Sequence, residues 1–324
     1  MAFANPSWSD VLATSIQKRS PTYADNVSKS NALHRKLFSK GNVRTVDGGE
    51  SIVETLMFAE NGNAQFFSGY DLLNVAAQDV ISAAQYNWSE AAVAIVVNGM
   101  ELRQNSGKER VLNLLEGRMR VGEISLKNLI SQALYSDGTA FGGKQLTGLN
   151  AAVPTAPTVG TYGGINRAVF TFWQPQLTAP GAGVITASNI NLYMNDIWTK
   201  CTRGPEHPDL IVSDNGMWNL YLAFLQNLIR FTDVKTGDLG FPTVKYQSAD
   251  VVLDGGQGGF CPTNTMFFLN TDYIFMRPHQ DLNYAPLNPG RRYATNQDAE
   301  VQLIGLQAQM TVSNSALQGR LHNN

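Results

Sequence analysis

"SIVETLMFAENGNAQFFSGY", residues 51–70 of a 324-residue chain, decides how the rest is read. Two β-rich runs flank Asn61-Gly62, a dipeptide suited to the positive φ angles of a two-residue hairpin turn. That loop sets Phe58 opposite Gln65, Met57 opposite Phe66 and Leu56 opposite Phe67. Side chains alternate along a strand, so Ile52, Leu56, Phe58 and Phe67 share one face. Val53, Met57, Ala59, Ala64, Phe66 and Tyr70 share the other. Both faces are apolar. A lone two-stranded ribbon is marginal in water, so each face needs cover from elsewhere.

Composition suggests where the cover lies. The chain is 43% hydrophobic and 10% aromatic, a globular balance with room for a large core and two lobes. Only 15% of its residues are charged, against roughly 25% in an ordinary soluble protein. So few charges imply neutral polar surface, or surface covered by neighbours. The net charge of −2 is unevenly placed. Between Gln17 and Val46, seven bases (Lys18, Arg19, Lys29, Arg35, Lys36, Lys40, Arg44) face one acid, Asp25. That basic segment on a mildly acidic body suggests one arm that meets an anionic partner. Cys201 and Cys261 form no CxxC and read as buried free thiols of a reducing compartment. The opening "MAFANPSWSD" lacks a basic, apolar leader, and the run "AAVAIVV" at 91–97 is too short to span a bilayer. A soluble chain made in the cytoplasm, with no membrane partner, is expected.

Residues 1–46 read as an extended arm with one short helix, "NALHRKLFSKG", capped by Asn31 and ended by Gly41. After the hairpin and a connector, "YNWSEAAVAIVVNGMEL" reads as a strand buried on both faces. Gln104–Tyr135 carries the longest helical stripe: Val111, Leu115, Met119, Leu126, Ile130 and Leu134. Asn105 or Ser106 caps it, and Gly117 and Gly122 within it mark close approach of a neighbouring backbone. Of the loop-rich stretch 138–183, "RAVFTFW" resembles a strand. Ile190, Met194, Ile197 and Cys201 stripe one further helix; Met217, Leu220, Tyr221, Phe224 and Leu228 stripe another, capped by Ser213 or Asp214. "DLIVS" lies between them as a strand. Strands follow at Val244, Val251, Met266–Leu269 and Tyr273–Met276, and "EVQLIGLQAQMTV" (300–312) closes the series with a bulge at Gly305. The class is mixed α+β.

No active site assembles. "GTAFGGKQ" (138–145) matches a phosphate-cradling G-x-x-x-x-G-K, but Gln145 stands where a Mg²⁺-binding hydroxyl belongs, and a helix rather than a strand precedes it. The histidines are scattered, so no zinc site is expected, and no cofactor. His279 with Asp281 reads as a polar turn, and Asp250 and Asp254 as the start of a strand and a turn, rather than as acid–base pairs. "TFWQ" beside Arg167 reads as core rather than as a base-stacking platform.

The order of "SKSNALHRKLFSKGNVRTVDGGESIVETLMFAENG", "FFSGYD", "AAQYNWSEAAVAIVVNGMELRQNSGKERVLNLLEGRM" and "LYSDG…GLNAAV…GGINRAVFTFW" resembles a tailed-phage major capsid protein of the Hong Kong 97-type fold, from about Asn26 to Trp173. The resemblance implies an N-terminal arm (1–46), an E-loop region (47–85), a peripheral domain (86–146 and 262–324) with a spine helix, and an axial domain (147–261). It implies a non-enzymatic subunit that assembles with itself into the hexamers and pentamers of an icosahedral virion shell around double-stranded DNA. Scaffolding protein, portal and a cement protein are its further expected partners. The hairpin would lie on a neighbour, burying Ile52, Leu56, Met57, Phe58, Phe66 and Phe67 between subunits. At about 1.5–3 kcal/mol for each large apolar side chain, such burial is worth roughly 7–15 kcal/mol gross for five of them. The arm would face DNA, scaffold or a neighbouring subunit. An encapsulin-type nanocompartment shell is the rival within this fold; a nucleotide-binding hydrolase using residues 138–145, or a tail or decoration component, are the rivals outside it.

Overall fold

The computed structural model describes residues 31–104, 114–181, 183–227, 243–255, 259–287, 292–293 and 298–323. Lys18, Arg19 and Lys29, and the helix caps expected at Asn105 or Ser106, lie outside them. In chain order the elements are α1 (Ala32–Ser39), β1 (Ile52–Met57), β2 (Ile81–Tyr86), β3 (Ser89–Asn98), α2 (Gly99–Gln104), α3 (Leu114–Ala133), α4 (Leu149–Ala152), β4 (Thr161–Tyr162), β5 (Ile165–Asn166) and β6 (Gln176–Thr178). They continue as α5 (Ile190–Lys200), β7 (Leu210–Ser213), α6 (Asn215–Asn227), β8 (Thr243–Tyr246), β9 (Ala249–Leu253), β10 (Thr265–Leu269), β11 (Ile274–Pro286), β12 (Arg292–Tyr293), β13 (Ala299–Val312) and β14 (Gly319–His322).

Two larger sheets organise the chain. In the first, β13 runs antiparallel to β3 on one side and to β11 and β12 on the other. The α3 helix lies across β3, where Gly122 lets it settle: a Cβ there would stand 3.0 Å from Ile95. The expected close approach is real, although a side chain and not a backbone makes it. β3 alternates along its length, with Ile95 and Val97 buried and Val96 48% exposed, so it is covered on one face rather than two. The irregularity expected at Gly305 belongs to its partner: the register slips between Pro278 and Asn283, and again between Asn283 and Ala285, with Tyr284 at φ +53° between them.

The second sheet has the order β6-β14-β10-β7-β9-β8. It claims β10 and β14, which the sequence division had assigned to the peripheral domain, because both hydrogen-bond beside β7 or β6 rather than β13. The stripe of α5, and that of α6 as far as Phe224, fall where expected, while Leu228, like Val111 of the longest expected helix, lies outside the described residues; Asp214 caps α6 by accepting from the Met217 amide at 3.0 Å. One core lies under these helices, with Ile197, Ile211, Phe268 and Leu321. The other joins the opposite face of the sheet to α3, α4 and the first sheet through Leu126, Leu149, Phe267 and Met310.

Two local readings need correction. "RAVFTFW" is not a strand: Thr171–Trp173 is a single 3₁₀ turn, with Trp173 buried and its indole N–H donating to the Tyr162 carbonyl at 2.9 Å. Residues 31–46 are packed rather than extended. Asn31 caps α1 by accepting from the His34 amide, Leu33 and Leu37 enter the main core, and Val43 and Val46 bridge to Met276 and His279 of β11.

Candidate subunit interface

The hairpin of residues 51–70 is larger than its sequence signal. β1 pairs with β2, not with residues 64–70, so Met57 faces Ile81 and Ile52 faces Tyr86. The register continues outward: Phe58 N–H donates to the Val80 carbonyl at 3.1 Å, the Asn63 side chain to the Ala76 carbonyl at 2.5 Å, and the Gln65 side chain to the Leu72 carbonyl at 3.3 Å. The tip is Ser68–Asp71, where the Ser68 amide meets the Asp71 carboxylate and the Asp71 amide returns to Ser68. Gly69, at φ +51°, makes that turn possible. Asn61-Gly62 is a bend within one limb. The limbs from 58 to 80 form no strand ladder; beyond the Phe58–Val80 backbone bond, the Asn63 and Gln65 side chains reach across. From Met57 to the tip such a limb reaches at most about 36 Å.

The base of the ribbon is anchored in its own subunit. Ile52 and Leu56, expected between subunits, are 3% and 5% exposed and belong to the chain's own core. Alternation puts Glu54 on that same inner face, a residue the sequence reading passed over. Its carboxylate accepts from Arg277 at 2.8 and 3.0 Å and from the Thr311 hydroxyl at 2.8 Å, tying β1 to β11 and β13. A paired carboxylate among apolar neighbours fixes geometry, because removing either partner strands a buried charge. The Tyr86 hydroxyl donates to the Val312 carbonyl, and burial holds its pKa well above the ordinary value. Phe58 is half-buried, its ring 5.5 Å from Phe172.

Beyond that base the ribbon is bare. Met57 is 88% exposed, Phe66 fully exposed and Phe67 65% exposed, and Tyr70, Leu72, Leu73, Val75 and Ile81 join them. So many large apolar side chains left to solvent on one ribbon are unusual on a protein surface.

The described members of the basic set are spent differently. Lys40 Nζ stands 2.7 Å from Asp272 and 3.1 Å from Asp209; Lys36 Nζ stands 3.7 Å from Asp250 and 3.9 Å from Asp209. Burial works to lower the Lys40 pKa, but hydrogen bonds and charge from Asp272 and Asp209 leave it raised. Arg44 lies over the Phe275 ring at 5.1 Å, with Arg277 also over that ring at 4.8 Å. Arg35 is exposed on α1. Lys36 and Lys40 are therefore internal ties between α1 and the second sheet.

The residue pairs set aside in sequence have ordinary structural surroundings. Residues 138–145 follow α3 in a turn where Phe141, Gly142 and Gly143 all have positive φ, with no strand before it. Asp250 lies within β9 among lysines and Asp254, just beyond it, is buried; His279 and Asp281 sit within β11 rather than in a turn, the Asp281 amide donating to the His279 ring. Trp173 and Arg167 are both buried, so "TFWQ" offers no stacking platform. Cys201 is buried, its thiol pushed up to about 12 by desolvation; Cys261 is partly buried. Among the described residues, no group of three or more His, Cys, Asp or Glu is placed to hold a metal, and no helix is long and apolar enough to cross a membrane.

No family model matches the sequence, and no curated protein does. Solved structures do. The cyanophage A-1(L) capsid asymmetric unit superposes with a TM-score of 0.64 at 16% identity, over 94% of this chain and 96% of that one. The capsid of the native GTA particle gives 0.58 at 13% identity, over 94% and 95%. The holo-SrpI encapsulin complex of Synechococcus elongatus gives 0.56 at 10% identity, over 99% and 96%. The chain thus has the Hong Kong 97-type capsid fold across nearly its whole length.

Proposed function

We propose that this chain is the structural subunit of an icosahedral virion shell: the major head protein of a tailed double-stranded DNA phage, assembling as hexamers and pentamers. The carrying observation is the ribbon, anchored through Glu54 and Ile52 yet presenting Met57, Phe66 and Phe67 to solvent. An extended apolar limb is stable when a neighbouring copy lies under it, and a closed shell repeats that contact at every subunit. The sparse charge of the chain fits a lateral surface made mostly of interface. Such a subunit is non-enzymatic, as the capsid structures that share its fold suggest.

The encapsulin reading has one observation in its favour, the SrpI superposition over 99% of this chain. The long basic run that includes Lys18, Arg19 and Lys29 favours nucleic acid as the content, since sequence-independent binding to a phosphate backbone needs only positive charge. Scaffold, portal and cement proteins are further partners of a phage head. Electron microscopy of the expressed chain, with and without co-expressed neighbouring head proteins, tests the shell. Nuclease-protected double-stranded DNA in native particles supports the phage head; particles filled with protein favour the nanocompartment. A monodisperse monomer under every condition overturns both.

A further inference from the structure

A cavity of about 250 Å³ lies where α3, the first sheet and the loop after α3 meet. Leu129, Ile130 and Ala133 of α3 and Leu306 of β13 give it apolar walls. Phe141 and Lys144 of the loop complete the lining; both are exposed, so the cavity opens to solvent beside them. Phe141 is held there at φ +54°, a strained conformation for a residue with a side chain, and such strain gathers at ligand clamps. An apolar cavity of roughly 150 Å³ takes up benzene, so this one has room for an aromatic ring. Lys144 has no ion-pair partner among the described residues.

The ribbon carries the complementary groups. Between Arg44 and Arg103 the sequence contains no Lys, Arg or His, so the limbs from 58 to 80 bear only acids: Glu60, Asp71 and Asp79. Glu60 and Asp79 stand close to the Phe58–Val80 backbone bond at the root, which leaves Asp71 as the charge of the tip. One Asp71 oxygen accepts from the Ser68 amide at 2.9 Å. Tyr70, its neighbour, is wholly exposed and so does not occupy the cavity of its own chain.

We propose that this cavity receives the ring of Tyr70 from a second copy of the chain, whose Asp71 pairs with Lys144 at the mouth. The inference rests on the shell reading and names the seat of its ribbon. The ring supplies apolar contact and the charge pair supplies register. Glu90 of β3, the other charged residue of the lining, repels Asp71 and favours approach from the Lys144 side.

The test reverses and removes these charges and counts closed particles by sedimentation. Lys144 and Asp71 are both exposed in the single chain, so urea midpoints of the subunit should stay as in the wild type. Lys144→Glu should lower particle yield about tenfold or more, because like charges then meet at each contact. Asp71→Asn keeps an acceptor for the Ser68 amide and removes the charge. It should lower the yield of the otherwise wild-type chain and raise that of Lys144→Glu, a change of sign that only coupled sites give. Tyr70→Ala should lose particles while Tyr70→Phe keeps them, since the cavity takes the ring. Wild-type particles with an Asp71→Asn effect of the same sign in both backgrounds, or with Tyr70→Ala at full yield, overturn this seat and leave the shell standing. Absence of particles from the wild type overturns the shell reading and the seat with it.

Discussion

The second sheet and the extended loop use similar side chains to opposite ends. Under α5 and α6, Met194, Ile197, Ile211, Phe268 and Leu321 are all fully buried within one chain. Along the loop, Phe66, Tyr70, Leu72 and Val75 are each at least 90% exposed. Hydrophobicity alone does not distinguish the two. Closure does: helices of 11 and 13 residues fold their stripes onto a sheet, whereas a ribbon has no third layer of its own. The first region closes its apolar faces within one chain, and the second leaves them to solvent.

The sharpest way to break the comparison is to damage the closed side. Phe268→Ala leaves a cavity in a fully buried site, and chemical denaturation should record a loss of about 3–5 kcal/mol. A loss below about 1 kcal/mol would mean that this core is looser than its burial indicates. Next is the hinge between the two regimes. Glu54→Gln removes the charge that Arg277 and Thr311 share and should cost roughly 2–3 kcal/mol, leaving Arg277 without its carboxylate. If the shell reading holds, its particles should also be irregular, since the ribbon's exit direction is no longer fixed.

Legibility in sequence follows the same division. The α5 and α6 stripes, the Asp214 cap and the strand at Leu210–Ser213 were readable because each is a local pattern that closes on its own chain. The ribbon was recognised and its register was not. Asn61-Gly62 carries the strongest turn signal in the segment, while the real tip depends on one glycine and a side-chain bond from Asp71. The return strand, "ISAAQY", has too few β-branched residues to announce itself. Glu54 was missed because a lone acid on a strand reads as solvent-facing until its partner, 223 positions away, is known. Burial of Leu33 and Leu37, four residues apart in a basic stretch, was masked by the charges around them.

On the open side, the expected effect on the subunit is near zero. Phe66→Asp with Phe67→Asp should change subunit stability by no more than about 0.5 kcal/mol, because both side chains are solvent-exposed. The same variant should fail to yield closed particles in electron micrographs. Phe58 is excluded from that test, since its contact with Phe172 would confound folding with assembly. Normal particles from the double variant would remove the loop from the interface.

The smallest effect separates the two meanings of the basic segment. Lys40→Met deletes the ties to Asp272 and Asp209 while keeping the aliphatic stem. For partly exposed pairs such as these the loss should be about 0.5–1 kcal/mol. It should shrink in high salt, because solvent reaches both partners and screens them. If Lys40 instead serves an anionic partner, the variant leaves subunit stability and its salt dependence unchanged and weakens binding of polyanions to the assembled particle. A loss that shrinks with salt, together with unaltered polyanion binding, places Lys40 inside the subunit's own electrostatics. Contact with an anionic partner would then rest with the residues before α1, chiefly Lys18, Arg19 and Lys29.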